Sequence, residues 1–180
     1  TRLTCDWSSD VCSSDLKVWL LSLLCFCTAC TGQSIKNSTY RLMLKAMYAN
    51  TVPLIAVKDL TLQQEKVILL DTREQAEYNI SHIKGAIWVG YTNFKPARLN
   101  EITKNQKVVV YCSVGYRSER IGEQLQKMGY TNVHNLYGGI FEWINQDKPI
   151  FDNQNALTKR IHPYSKAWGV WLEQGEQVYH

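Results

Sequence analysis

Cys112 is the residue in this sequence best placed to do chemistry. It ends a β-branched and aromatic run, Val108 to Tyr111, and opens the glycine-containing turn CSVGYRS, Cys112 to Ser118. A helical pattern follows, with apolar residues at Ile121, Leu125 and Met128. Strand, loop and helix in that order place a thiol at the C-terminal end of a strand, where open α/β sheets bind ligands. Backbone N–H groups of the loop and helix start favour negative charge there. A thiol so surrounded ionises, and the thiolate is the nucleophile. Arg117 adds a full positive charge in a fork that suits an oxyanion; its structural rival is a surface pairing with Glu119 or Glu123. Ser113, Val114, Gly115, Tyr116 and Ser118 are the candidate substrate-binding residues. Gly115 keeps the cradle open where a side chain would intrude.

The elements that must position this loop alternate. Five apolar segments read as strands: Leu54 to Val57, Val67 to Leu70, Ala86 to Val89, Val108 to Tyr111 and Val133 to Leu136. Helical or turn segments separate them: Lys58 to Gln63, Arg73 to Tyr78, Ala97 to Thr103, Ser118 to Met128 and Ile140 to Gln146. That alternation predicts an α/β fold, a five-stranded, mainly parallel sheet with helices on both faces. Gly129 closes the helix after Cys112, and Gly138-Gly139 marks a tight turn before the last helix. Residues 51–150 form the domain, which at that length buries a core of its own. A short amphipathic helix, Tyr40 to Tyr48, precedes it within a tether spanning residues 31–50. An aromatic extension, residues 151–180, follows, with a short helix expected around Ala167 to Glu173. Trp168 and Trp171 are expected to pack against the domain, while His162 and Tyr164 are within possible reach of a site.

The N-terminal residues belong to a different category. Asp6 to Leu16, DWSSDVCSSDL, is similar to the translation of a sequencing-adapter sequence, so residues 1–16 read as a non-native leader; the alternative is a Ser/Asp-rich leader. Residues 17–30 read as a signal-peptide remnant, with Lys17 basic and Val18 to Cys27 apolar but too short to span a bilayer. Cys27-Thr28-Ala29-Cys30 resembles a bacterial lipobox, which makes Cys30 the candidate lipidation site; ordinary cleavage after Ala29 is the competing reading. Either way the chain is expected to be exported, as a periplasmic or membrane-anchored protein. Of six cysteines, only Cys30 and Cys112 would then remain. A lone thiol in that compartment is a reactive one. No zinc-type cluster exists in the sequence. Without its first thirty residues the chain carries 18 basic and 13 acidic side chains, net +5. The charges are scattered, with no basic-aromatic ladder, so no nucleic-acid partner is implied.

At this point four motifs in order resemble the rhodanese-like sulfurtransferase domain. CSVGYRS is similar to that family's CxxGxRS loop. VILLDTREQAEY, Val67 to Tyr78, resembles its D-x-R-x-x-x-E-[FY] signature. HIKGAI, His82 to Ile87, matches HI-x-GA, and YGGIFEW, Tyr137 to Trp143, matches GG-x-x-x-W. Ser81 departs from the usual glycine of a turn. The resemblance implies a persulfide on Cys112, formed from a small anionic sulfur donor such as thiosulfate and emptied by a thiol or cyanide acceptor, with no cofactor and no metal. A sulfur-carrier or protein-binding module is the alternative. Asp71 and Arg73 read as a structural charge pair that holds the strand end beside the loop, and His82 as a hydrogen-bonded packing residue. A cysteine phosphatase needs Cys-x5-Arg; here Arg117 falls one residue short, which favours sulfur over phosphate.

Overall fold

The computed structural model describes residues 35–179, so the adapter-like leader, the signal-like segment and Cys30 lie outside the described residues. Helix α1 (Ser38–Met47) is capped by Asn37, whose side chain accepts from Tyr40 N–H. Strand β1 (Leu54–Ile55), α2 (Val57–Thr61), β2 (Ile68–Asp71), α3 (Gln75–Ile80) and β3 (Ile87–Trp88) follow. Next come β4 (Val108–Tyr111), α4 (Tyr116–Lys127), β5 (Val133–Leu136) and α5 (Gly139–Asn145). Strands β1 to β5 form one sheet in the order β1-β5-β4-β2-β3, all neighbours parallel.

Both sheet faces are covered, which is why the strands read as continuous apolar runs rather than alternating ones. In β4 every residue is buried. Val109 and Tyr111 join α1, α2 and α5 in one core, and Val108 and Val110 join Ile121 and Leu125 of α4 in the other. The chain leaves β2 toward β3 but leaves β4 toward β5, so the connections after these neighbouring strands diverge. Divergence at adjacent C-terminal strand ends opens the crevice in which such sheets place ligands.

The first core draws on more than residues 51–150. Ile35, Tyr40, Leu44 and Tyr48 enter it from the N-terminal side, and Ile161 from the extension. The extension contributes two small two-stranded sheets, β6 (Ile150–Phe151) with β7 (Leu157–Thr158) and β8 (Arg160–Ile161) with β9 (Glu176–Gln177), together with α6 (Lys166–Gly169). Trp168 and Trp171 are half-buried against the first core, and Trp171 stacks on Tyr40 at 5.4 Å.

Several boundaries differ from the sequence expectation. The segment expected as a helix or turn over Ala97 to Thr103 is a 3-10 turn, Pro96–Leu99. Helix α3 begins at Gln75 rather than Arg73, because Glu74 and Glu77 form a capping box. Helix α4 begins at Tyr116 rather than Ser118. Ser81, where a glycine is usual, has φ −168°, extended backbone open to any residue.

Candidate active site

Cys112 follows the last residue of β4, at the crevice. Its side chain is almost wholly covered, 1% exposed, and lies in the floor of a cavity of about 390 Å³. Gly115 N–H donates to Cys112 Sγ at 3.0 Å. Gly115 is the N-cap of α4 with φ +106° and supplies no side-chain cap. The positive end of a twelve-residue helix thus opens beside the sulfur.

The loop's polarity follows from where its carbonyls go. Cys112 C=O accepts from Ile140 N–H at 2.9 Å, and Ser113 C=O from Phe141 N–H at 3.1 Å. Val114 C=O accepts from the Tyr48 hydroxyl at 2.5 Å, and Gly115 C=O from Asn135 Nδ2 at 2.9 Å. Four successive carbonyl oxygens are therefore turned outward into the scaffold. Gly139 makes this possible for the first two: a Cβ there would strike the carbonyls of Cys112 and Ser113.

Arg117 lies in the first turn of α4. Its two terminal nitrogens each bond a Glu77 carboxylate oxygen at 2.7 Å, and Nη2 also reaches Ser113 Oγ at 3.0 Å. The surface pairing with Glu119 or Glu123 does not form. Glu119 turns inward to accept from the N–H groups of Ala49 and Thr51, and Glu123 pairs with Arg120 at 2.6 Å. Burial pushes Glu77 toward its neutral form, but the Arg117 hydrogen bonds, with the charges of Arg117 and Arg73, hold it below the usual carboxylate range. Burial likewise opposes the Arg117 charge, and Glu77 with the charge of Cys112 raises its pKa regardless. Asp71 and Arg73, both fully buried, form a side-on pair with contacts of 2.5 to 3.1 Å, and Arg73 also donates to Ser81 C=O at 2.6 Å. His82 stacks on Tyr78 at 4.1 Å, with Nδ1 3.2 Å from Tyr78 C=O.

Of the sequence-derived candidates, Cys112, Ser113, Val114, Tyr116 and Arg117 come together around the cavity. Ser118 does not: it is fully buried and donates to Asn135 Oδ1 at 2.7 Å, behind the loop. Gly115 contributes its N–H rather than a wall. The sequence reading assigned no part to Glu77, Tyr48, Met47 or Tyr91, or to Trp168 as a cavity wall. Glu77 sits in the same signature as Asp71 and Arg73, on the helix after β2; the adjacency of β2 and β4 was the signal that could have found it. Tyr164 of the extension lines the cavity and covers the Arg117 guanidinium, 4.9 Å from ring centroid to Cζ. His162 turns to accept from Tyr164 N–H at 3.0 Å and is not part of the wall.

The site's geometry can be set beside known proteins. The profile of the rhodanese-like domain matches residues 56–146. A tRNA uridine(34) hydroxylase of Rickettsia conorii is 31% identical over 120 residues, covering 58% of this chain and 49% of that protein. A protein of the same name from Pelagibacter ubique is 30% identical over 108 residues, covering 53% of this chain and 36% of its own length. The chain thus spans about half or less of the curated relatives it matches. Among solved structures, a thiosulfate sulfurtransferase from Pseudomonas aeruginosa superposes with TM-score 0.53 at 20% identity, covering 74% of this chain and 26% of that one. A rhodanese-like domain from Anabaena gives TM-score 0.52 at 22% identity, covering 56% and 79% of the respective chains. At those identities the likeness is one of fold. Since the matched segment makes up half of the 180 residues and contains β4, the Cys112 loop and α4, the chain belongs to the rhodanese-like domain family.

Proposed function

We propose that this protein is a sulfurtransferase that works through a persulfide on Cys112. The observation that carries the reading is the polarity of the loop: one N–H bonds the sulfur while four carbonyls face away from it. That donor, with the positive end of α4 beside it and no carbonyl oxygen turned inward, favours a thiolate and equally the anionic terminal sulfur of a persulfide. The Cys112 thiolate attacks the sulfane sulfur of a donor such as thiosulfate. The donor's S–S bond breaks and sulfite leaves with the electron pair. A thiolate or cyanide then takes the sulfur and returns the pair to Cys112. Arg117, clamped by Glu77 and Ser113, holds positive charge beside the loop throughout.

The test is intact-mass spectrometry after incubation with thiosulfate, together with turnover assays. The wild type is expected to gain one sulfur, removed by reductant, and Cys112→Ser to gain none and lose turnover by at least about a thousandfold. Equal rates in both would end the reading. Stable loading without turnover would replace it with the sulfur-carrier alternative. In its cellular setting we place the protein outside the cytoplasm, on the apolar segment before Cys30 and the lipobox-like residues; loss of palmitate labelling in Cys30→Ser would identify Cys30 as the anchor.

A further inference from the structure

Resting on the sulfurtransferase reading, we infer that the acceptor is a low-molecular-weight thiol with an uncharged, apolar or aromatic body, selected by residues outside the matched family segment. The cavity above Cys112 is walled by Met47, Tyr91, Tyr116, Tyr164 and Trp168. Met47 belongs to α1, and Tyr164 and Trp168 to the C-terminal extension, while the family match covers residues 56–146. At about 390 Å³ the space falls in the range of about 300–1,000 Å³ typical of small-molecule sites. Thiosulfate fills only a fraction of it.

Charge argues the same way. Arg117 is the guanidinium among the cavity's lining residues, and Glu77 accepts from both of its terminal nitrogens while Tyr164 covers its face. A carboxylate-bearing acceptor would meet a guanidinium whose two terminal nitrogens are already bonded to Glu77. An apolar body would meet aromatic rings and a thioether, and would gain by leaving water. The chemistry balances without an added oxidant or reductant. The acceptor thiolate bonds to the terminal sulfur of the Cys112 persulfide, the Sγ–S bond breaks, and its electron pair returns to Sγ. The acceptor leaves as its own persulfide.

The experiment loads the protein with thiosulfate or inorganic polysulfide, verifies the added sulfur by intact mass, and then compares 2-phenylethanethiol with 2-mercaptoethanol at equal thiolate concentration. The aromatic thiol is expected to show a kcat/KM larger by about tenfold or more, carried mainly by KM. Trp168→Ala and Tyr164→Ala should each lower that ratio by about threefold or more. Leu62→Ala, exposed and remote from the cavity, should leave it unchanged. Tyr164 is 55% exposed, so its variant folds even if Trp168→Ala does not. A ratio near one, or a ratio untouched by both wall variants, overturns the inference and leaves the sulfurtransferase reading standing. Absence of loading from either donor sinks that reading, and this inference with it.

Discussion

Glu77 shows how one side chain can set both stability and charge at this site. It is 1% exposed, clamps Arg117 through two bonds and accepts from Ser113 Oγ at 2.9 Å. Breaking a buried pair by removing one partner costs about 3–5 kcal/mol. With the Arg117 side chain 13% exposed, the lower end applies, so Glu77→Ala should lose about 3 kcal/mol in urea unfolding. The pH dependence follows from the direction of its shift. A carboxyl whose folded pKa lies below its unfolded one stabilises fully above about pH 4.3, and that contribution fades as pH falls through the lower folded value. Urea midpoints followed from neutral pH into acid should therefore fall less steeply in Glu77→Gln than in the wild type. The sequence displayed Glu77 but not its partner. Forty residues separate it from Arg117, and nothing local to either residue encodes a contact made by adjacent strands.

At the scale of elements, the loop after β4 is shaped by groups that lie far from it in sequence. The Tyr48 hydroxyl donates to Val114 C=O and accepts from Gly138 N–H at 3.1 Å, so one phenol joins two glycine-rich turns. Tyr48→Phe leaves both buried groups unpartnered and should cost about 1–3 kcal/mol, with slower sulfur loading as the loop relaxes; denaturation and stopped-flow loading measure the two effects. Gly115→Ala is expected to be worse, since the new Cβ meets the Tyr48 ring and the backbone holds φ +106°. The strand, the thiol loop and the helix were legible because a β-branched run, a glycine turn and a helical period stand side by side. The first turn of α4 was not. A glycine N-cap carries no capping side chain, so Tyr116 and Arg117 looked like loop. The segment Ala97 to Thr103 reads as helix or turn for a related reason: its apolar residues, Leu99 and Ile102, fit a helical period, but only a 3-10 turn forms, at Pro96–Leu99.

For the whole molecule, the matched family segment and the hydrophobic core have different boundaries. Tyr40 and Leu44 of α1 and Ile161 of β8 are fully buried in the same cluster as β4 and α5. A fragment of residues 51–150 would leave those sites open, and losing several large buried side chains costs about 2–5 kcal/mol apiece. Such a fragment should therefore be unfolded or aggregated in buffer, by circular dichroism and light scattering, whereas residues 35–179 should melt cooperatively. The α/β architecture and strand sequence could be read from composition and period. The part played by the extension could not, because its two-residue strands and four-residue helix show no periodicity, and its tryptophans read as packing, with no signal that Trp168 also forms a cavity wall. The outward-turned carbonyls have one more effect. A hard cation approaching Cys112 would find none of the carbonyl oxygens of residues 112–115 turned toward it, so the wiring that points the Gly115 N–H at the sulfur also denies such an ion main-chain ligands from this loop.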